Sequence, residues 1–133
     1  MFDIKLHDRC DTFAQLFSLS VDNRYDSVNF VRRLMTDENL EEIIFSDTEN
    51  EKELLSKLEN KIDFKTGGVL SNFTMWFMGY TYMYWILKHD MKPSGVYKIL
   101  PVEEFLKRFN EYYTENCDFV VEDAIKRYKE RIK

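Results

Sequence analysis

Turn formers are scarce in this chain, with four glycines and two prolines among 133 residues. Repeated hairpins need more glycine, Asn-Gly or Asp-Gly punctuation than that, so long helices are favoured over an all-β architecture. Cysteine is limited to Cys10 and Cys117, in no motif spacing and with no signal-peptide pattern ahead of them. They read as free thiols of a cytoplasmic protein, not as a disulfide framework. Histidine is limited to His7 and His89. His7 and Cys10 share helical spacing, but two ligands do not make a zinc site, so no metal or other cofactor is expected. Nucleophile elbows, phosphate loops and glycine-rich dinucleotide turns are missing, and TGG at 66–68 reads as a helix stop. The acid pairs Glu41/Glu42 and Glu103/Glu104 are adjacent in sequence and point in different directions on a helix, so neither can flank one reacting bond. The expectation is a protein that is not an enzyme.

Aromatic residues, by contrast, are abundant at 16%. Many fall in SNFTMWFMGYTYMYWILK, residues 71–88, within a run from Thr66 to Leu87 that carries no charge. The run is too long for an ordinary strand and long enough for a membrane span. Its polar residues Ser71, Asn72, Thr74 and Thr81, and its tyrosines placed mid-segment, argue against a span, which concentrates Leu and Val centrally and Tyr and Trp at its ends. The reading is a core helix over about 71–89. Phe73, Trp76, Phe77, Tyr80, Tyr84 and Leu87 lie on one face, and Met75, Met78, Tyr82, Trp85 and Ile86 cover most of the rest.

Around that helix the periodicity predicts a single all-α domain over 1–133, a multi-helix bundle. MFDIKLH reads as an extended arm or a short edge strand. A helix over 10–19 carries Phe13, Leu16 and Phe17 at i, i+3, i+4. Ser27 is read as the cap of a second helix with Val28, Val31, Leu34 and Met35 inside. Leu40, Ile43 and Ile44 mark a short third. Ser46 or Asp47 is read as the cap of a fourth, with Leu54, Leu55, Leu58 and Ile62 inside. Ser94 is expected to cap GVYKIL. Pro101 is expected to open one helix running to about Tyr113. A terminal helix points Phe119, Val120, Ala124 and Tyr128 inward.

The formal net charge is −5, and its distribution is uneven. Residues 37–63 hold ten acids against three lysines, while residues 1–36 balance and the last eight residues are basic. A polarised surface steers partners of opposite sign. Asp37, Glu38, Glu41, Glu42, Asp47, Glu49, Glu51 and Glu53 are therefore the candidate contact residues for a basic protein. The basic C-terminal helix has no interleaved aromatic platform, so direct binding of nucleic acid is not expected.

GYTYMYW (Gly79 to Trp85), VYKILP (Val96 to Pro101), YYT (Tyr112 to Thr114) and DAI (Asp123 to Ile125) together resemble a group of short helical proteins of low-GC Gram-positive bacteria and their mobile elements. The resemblance covers about 75–128. Members are often encoded beside ADP-ribosyltransferase-like toxins, which implies an antitoxin or accessory role. Where the group has Tyr-His-Thr this chain has Tyr113, so any role of that histidine is absent. Two functions follow as expectations. The first is a non-enzymatic inhibitor that engages a basic partner, a toxin or a bacterial defence nuclease. The second is a small structural or regulatory protein that self-associates, as a homodimer, through leftover aromatic surface.

Overall fold

The computed structural model describes residues 4–46 and 50–133, and the side chains from Lys5 onward. In chain order the helices are α1 (Ile4–Asp22), α2 (Ser27–Thr36), a 3₁₀ turn (Glu38–Leu40), α3 (Glu41–Ile44) and α4 (Glu51–Glu59). The second half contains α5 (Asn72–Lys88), α6 (Pro93–Ile99), α7 (Val102–Lys107), α8 (Phe109–Tyr112) and α9 (Cys117–Arg131). Among the described residues the only β-type pairing is an isolated bridge between Tyr25 and Thr66. The fold is all-α. The segment read as an arm or edge strand is helical from Ile4, and Met1 to Asp3 lie outside the described residues.

The most extensive helix contact joins α1 to α5. Cys10, Phe13, Ala14, Leu16 and Phe17 of α1 are buried. Gly79 permits the close approach: a Cβ there would lie 2.8 Å from the Phe13 carbonyl oxygen and 2.8 Å from Cγ of Phe17. The buried face of α5 consists of Met75, Met78, Thr81, Tyr82, Met83, Trp85 and Ile86. The other face, Trp76, Phe77, Tyr80, Tyr84 and Leu87, is only half-buried, and Phe73 is exposed. The flexible methionines of the buried face fill the irregular interior against α1.

Asp26, not Ser27, caps α2, its Oδ1 accepting from the Asn29 amide at 2.9 Å. Ser27 is buried and its Oγ accepts from the Leu70 amide at 2.8 Å. The Asp26 and Ser27 amides donate to the carbonyls of Lys65 and Gly68. Residues 64–70 thus form a strap across the start of α2, with Phe64 between Tyr25 and Phe30 at centroid distances of 5.2 and 4.9 Å. Gly67 and Gly68 therefore serve this strap and do not stop α4, which has already ended at Glu59. A Cβ at Gly67 would lie 2.5 Å from the capping carboxylate of Asp26.

Other boundaries also differ from expectation. Asn50 caps α4, accepting from the Lys52 and Glu53 amides, and Asp47 lies outside the described residues. Pro93 occupies the first turn of α6, with Lys92 in the cap position and no role for Ser94 as a cap. Pro101 is itself the cap residue of α7, and the expected single helix is split at Arg108 into α7 and α8. On α9 the buried residues are Val120, Val121 and Ala124, while Phe119 is 42% exposed and Tyr128 half-buried. No helix among the described residues is long and apolar enough to cross a membrane.

Candidate functional site

The acidic stretch folds into one corner built from the 3₁₀ turn, α3 and α4, with α3 in contact with both of the others. Glu38, Glu42 and Glu53 are exposed, whereas Asp37, Glu41 and Glu51 are half-buried. Asp47 and Glu49 lie outside the described residues. Two of these six acids have an internal task. Asp37 accepts from the Asn39 amide at 3.0 Å and so caps the 3₁₀ turn, and Glu53 pairs with Lys57 at 3.6 Å. That is the one ion pair within the stretch among the described residues. One carboxylate oxygen of Glu41 is buried with no hydrogen-bond partner. Glu59, at the far end, accepts from the Tyr25 hydroxyl, a bond that pushes the phenol up to about 12, helped by burial.

The C-terminal end is organised in the opposite way. Asp123 accepts from the Tyr112 hydroxyl at 2.7 Å and from Arg127 Nε at 2.8 Å. Burial pushes this carboxyl up, but the bonds from Tyr112 and Arg127 and the fields of Arg127 and Arg108 outweigh it and hold it below its ordinary value. Arg127 also reaches Glu111 at 3.8 Å, Arg131 reaches Glu104 at 3.7 Å, and Arg131 donates to the Ile99 carbonyl at 3.0 Å. These contacts stitch α6, α7 and α8 to α9. They surround a recess of about 330 Å³ lined by Glu104, Lys107, Arg108, Arg127, Glu130 and Arg131.

GYTYMYW, VYKILP, YYT and DAI meet one another here. Tyr82 of GYTYMYW donates to the Leu100 carbonyl of VYKILP at 2.7 Å, and Tyr112 of YYT donates to Asp123 of DAI. Burial raises both phenols. Within GYTYMYW, Tyr84 also donates to Asp118 at the start of α9, at 2.6 Å. These tyrosines are thus packing joints of the C-terminal half.

An aromatic patch lies apart from the acidic corner. Phe73 is 53% exposed and Tyr113 46% exposed. Phe73 meets Phe109 and Tyr113 edge-on at 6.1 and 6.3 Å, and Phe109 stacks on Tyr113 at 5.6 Å. Phe77 supports them from below, 5.8 Å from Phe109. Tyr113 is therefore part of an exposed aromatic surface. Sequence periodicity did not single out this patch, because α5 is apolar on nearly every side and Phe109 and Tyr113 come from a separate segment.

The thiols of Cys10 and Cys117 are free, one buried and one half-buried. Burial pushes Cys10 up to about 12 and raises Cys117. Among the described residues no three His, Cys, Asp or Glu side chains cluster. No protein-family model, curated protein or solved structure matches the chain.

Proposed function

We propose that this chain is a non-enzymatic protein-binding inhibitor, antitoxin-like or directed at a bacterial defence nuclease, and that its acidic corner engages a basic partner. The observation that carries the reading is the unequal use of charge. Six of the seven ion pairs among the described residues lie wholly outside the acidic stretch, and Glu38, Glu42 and Glu51 have no cationic partner. Unneutralised carboxylates on a stable helical frame mimic the phosphate array that a basic nucleic-acid-handling protein would bind, and they accelerate its encounter. The family resemblance favours a toxin as that partner, and the Lys-, Asn-, Phe- and Tyr-rich composition fits an AT-rich genome and its phages or plasmids.

The test is capture from a bacterial lysate by tagged protein at low and high salt, followed by identification of each retained band. A single basic protein should be retained at low salt and released at high salt. Combined Glu38→Lys, Glu42→Lys, Glu51→Lys and Glu53→Lys substitution should weaken its binding at least about tenfold while leaving helicity intact. Unchanged affinity would remove the acidic corner from the interface.

The exposed aromatic patch favours a second reading, self-association as a homodimer. Concentration-dependent sedimentation that Phe73→Ser and Tyr113→Ser together abolish, with no outside partner captured, would replace the first reading by this one.

A further inference from the structure

On the side of α1 that faces the end of α5, Lys5, Leu6, Arg9, Leu87 and Lys88 line an open groove of about 320 Å³. Leu6 and Leu87 supply its apolar lining, and Lys5, Arg9 and Lys88 its charge. Arg9 is half-buried and fixed in place. Its Nη1 donates to the Ser46 carbonyl at 2.5 Å and its Nη2 to the Ile44 carbonyl at 3.1 Å. A guanidinium carries five N–H donors, and the bonds to these two carbonyls leave donors over while neutralising no formal charge. Lys88 is also positioned, its ammonium 5.5 Å above the Tyr84 ring. None of Lys5, Arg9 and Lys88 has a carboxylate partner within ion-pair distance among the described residues. The arginines of the C-terminal recess, Arg108, Arg127 and Arg131, are all paired.

We infer that the α1–α5 groove is a docking site for an acidic, amphipathic peptide segment of a partner protein. The volume is at the lower end of ligand sites, and the groove is open to solvent, which suits a side-chain pair of an extended or helical segment. A leucine-sized side chain would rest on Leu6 and Leu87 while neighbouring carboxylates meet the three cations. Arg9 anchors recognition because its planar fork binds a carboxylate in two-point fashion and its position costs nothing further to fix. Charge complementarity chooses the occupant: the groove repels the basic surface that the acidic corner attracts, so the chain presents two sites of opposite sign.

The probe is an acetylated, amidated Glu-Leu-Glu-Glu peptide titrated into ¹⁵N-labelled protein, with Gln-Leu-Gln-Gln as its neutral counterpart and decanoate as a non-peptide carboxylate. The acidic peptide should shift the amides of Lys5, Leu6, Arg9, Leu87 and Lys88 with millimolar or tighter saturation, weakening several-fold as salt is raised from low to physiological strength. Combined Lys5→Glu and Lys88→Glu substitution, at exposed positions that leave the core intact, should reduce the affinity at least about tenfold. Lack of shifts, equal shifts from the neutral peptide, or saturation by decanoate alone would each overturn the assignment. Because this titration uses no basic partner, its outcome is independent of the function proposed above.

Discussion

The acidic corner and the C-terminal end hold the same number of carboxylates, eight each when the described residues of 37–63 are set beside 103–133. They use them differently. In the corner the available cations are three lysines and one ion pair forms. At the C-terminal end arginines dominate the pairing, and Asp123 is held by a phenol and a guanidinium at once. Arginine's fixed fork suits a bridge between helices, whereas a lysine on its flexible stem gains little from pairing at the surface. Charge has been absorbed into architecture at one end and left facing solvent at the other. Carboxylates without an internal task cost some self-repulsion, which makes their retention at the corner a reason to look for an external one.

Breaking the stitched end should have the largest effect. Asp123→Ala removes the acceptor of both Tyr112 and Arg127, and is expected to cost about 2 kcal/mol of stability, read by thermal or urea unfolding followed by circular dichroism. A midpoint indistinguishable from the parent would mean that the network decorates the surface and does not join α8 to α9. Its carboxyl is held low in the fold, so its contribution is fully present above the ordinary carboxylate value and is lost as pH falls through the lowered one.

Alkaline pH should act next, and on both regions. Burial or a carboxylate partner raises the phenols of Tyr25, Tyr80, Tyr82, Tyr84, Tyr97 and Tyr112, Tyr25 and Tyr80 to about 12. The unfolded chain ionises these groups near pH 10, so unfolding releases protons above that point. Stability should be intact below about pH 10 and decline as pH rises toward 12, with tyrosinate absorbance appearing together with loss of helix. Ionisation of all eight tyrosines without loss of helix would contradict the burial described.

The smallest effect is expected at the corner. Glu38→Gln, Glu42→Gln and Glu51→Gln together should change stability by less than about 0.5 kcal/mol, with any gain largest at low salt. A loss well beyond that would show that these acids, too, have a structural task, and would erase the contrast between the two regions.

Much of the helical frame was legible because apolar spacing at i, i+3, i+4 survives without tertiary information: Phe13, Leu16 and Phe17, or Leu54, Leu55 and Leu58, point inward as their spacing requires. Caps were harder. The run Ser46 to Asn50 offers several residues with the right side chain, and the one that caps α4 is set by where the hydrophobic stripe must land. Ser27 reads as a cap in isolation, but its hydroxyl is taken by the amide of Leu70, far away in sequence. The two sides of α5 were indistinguishable by hydrophobicity, since both are apolar, and only the position of Gly79 marks the side that meets α1. The acidic corner was visible as a charge run, but its lack of ion pairs was not. The aromatic patch and the cationic groove each depend on helices brought together from separate parts of the chain.

The close approach at Gly79 also sets an order of events for the growing polypeptide. Phe13 and Phe17 lie roughly sixty residues upstream of the glycine they pack against, a long-range closure of the kind that slows folding. During synthesis the apolar side of α1 therefore waits uncovered until α5 has left the ribosome. A chain truncated before α5 would expose Phe13, Leu16 and Phe17 together, a surface suited to chaperone capture or degradation. Premature termination should thus yield little persistent fragment, even though α1 contains a complete amphipathic pattern of its own.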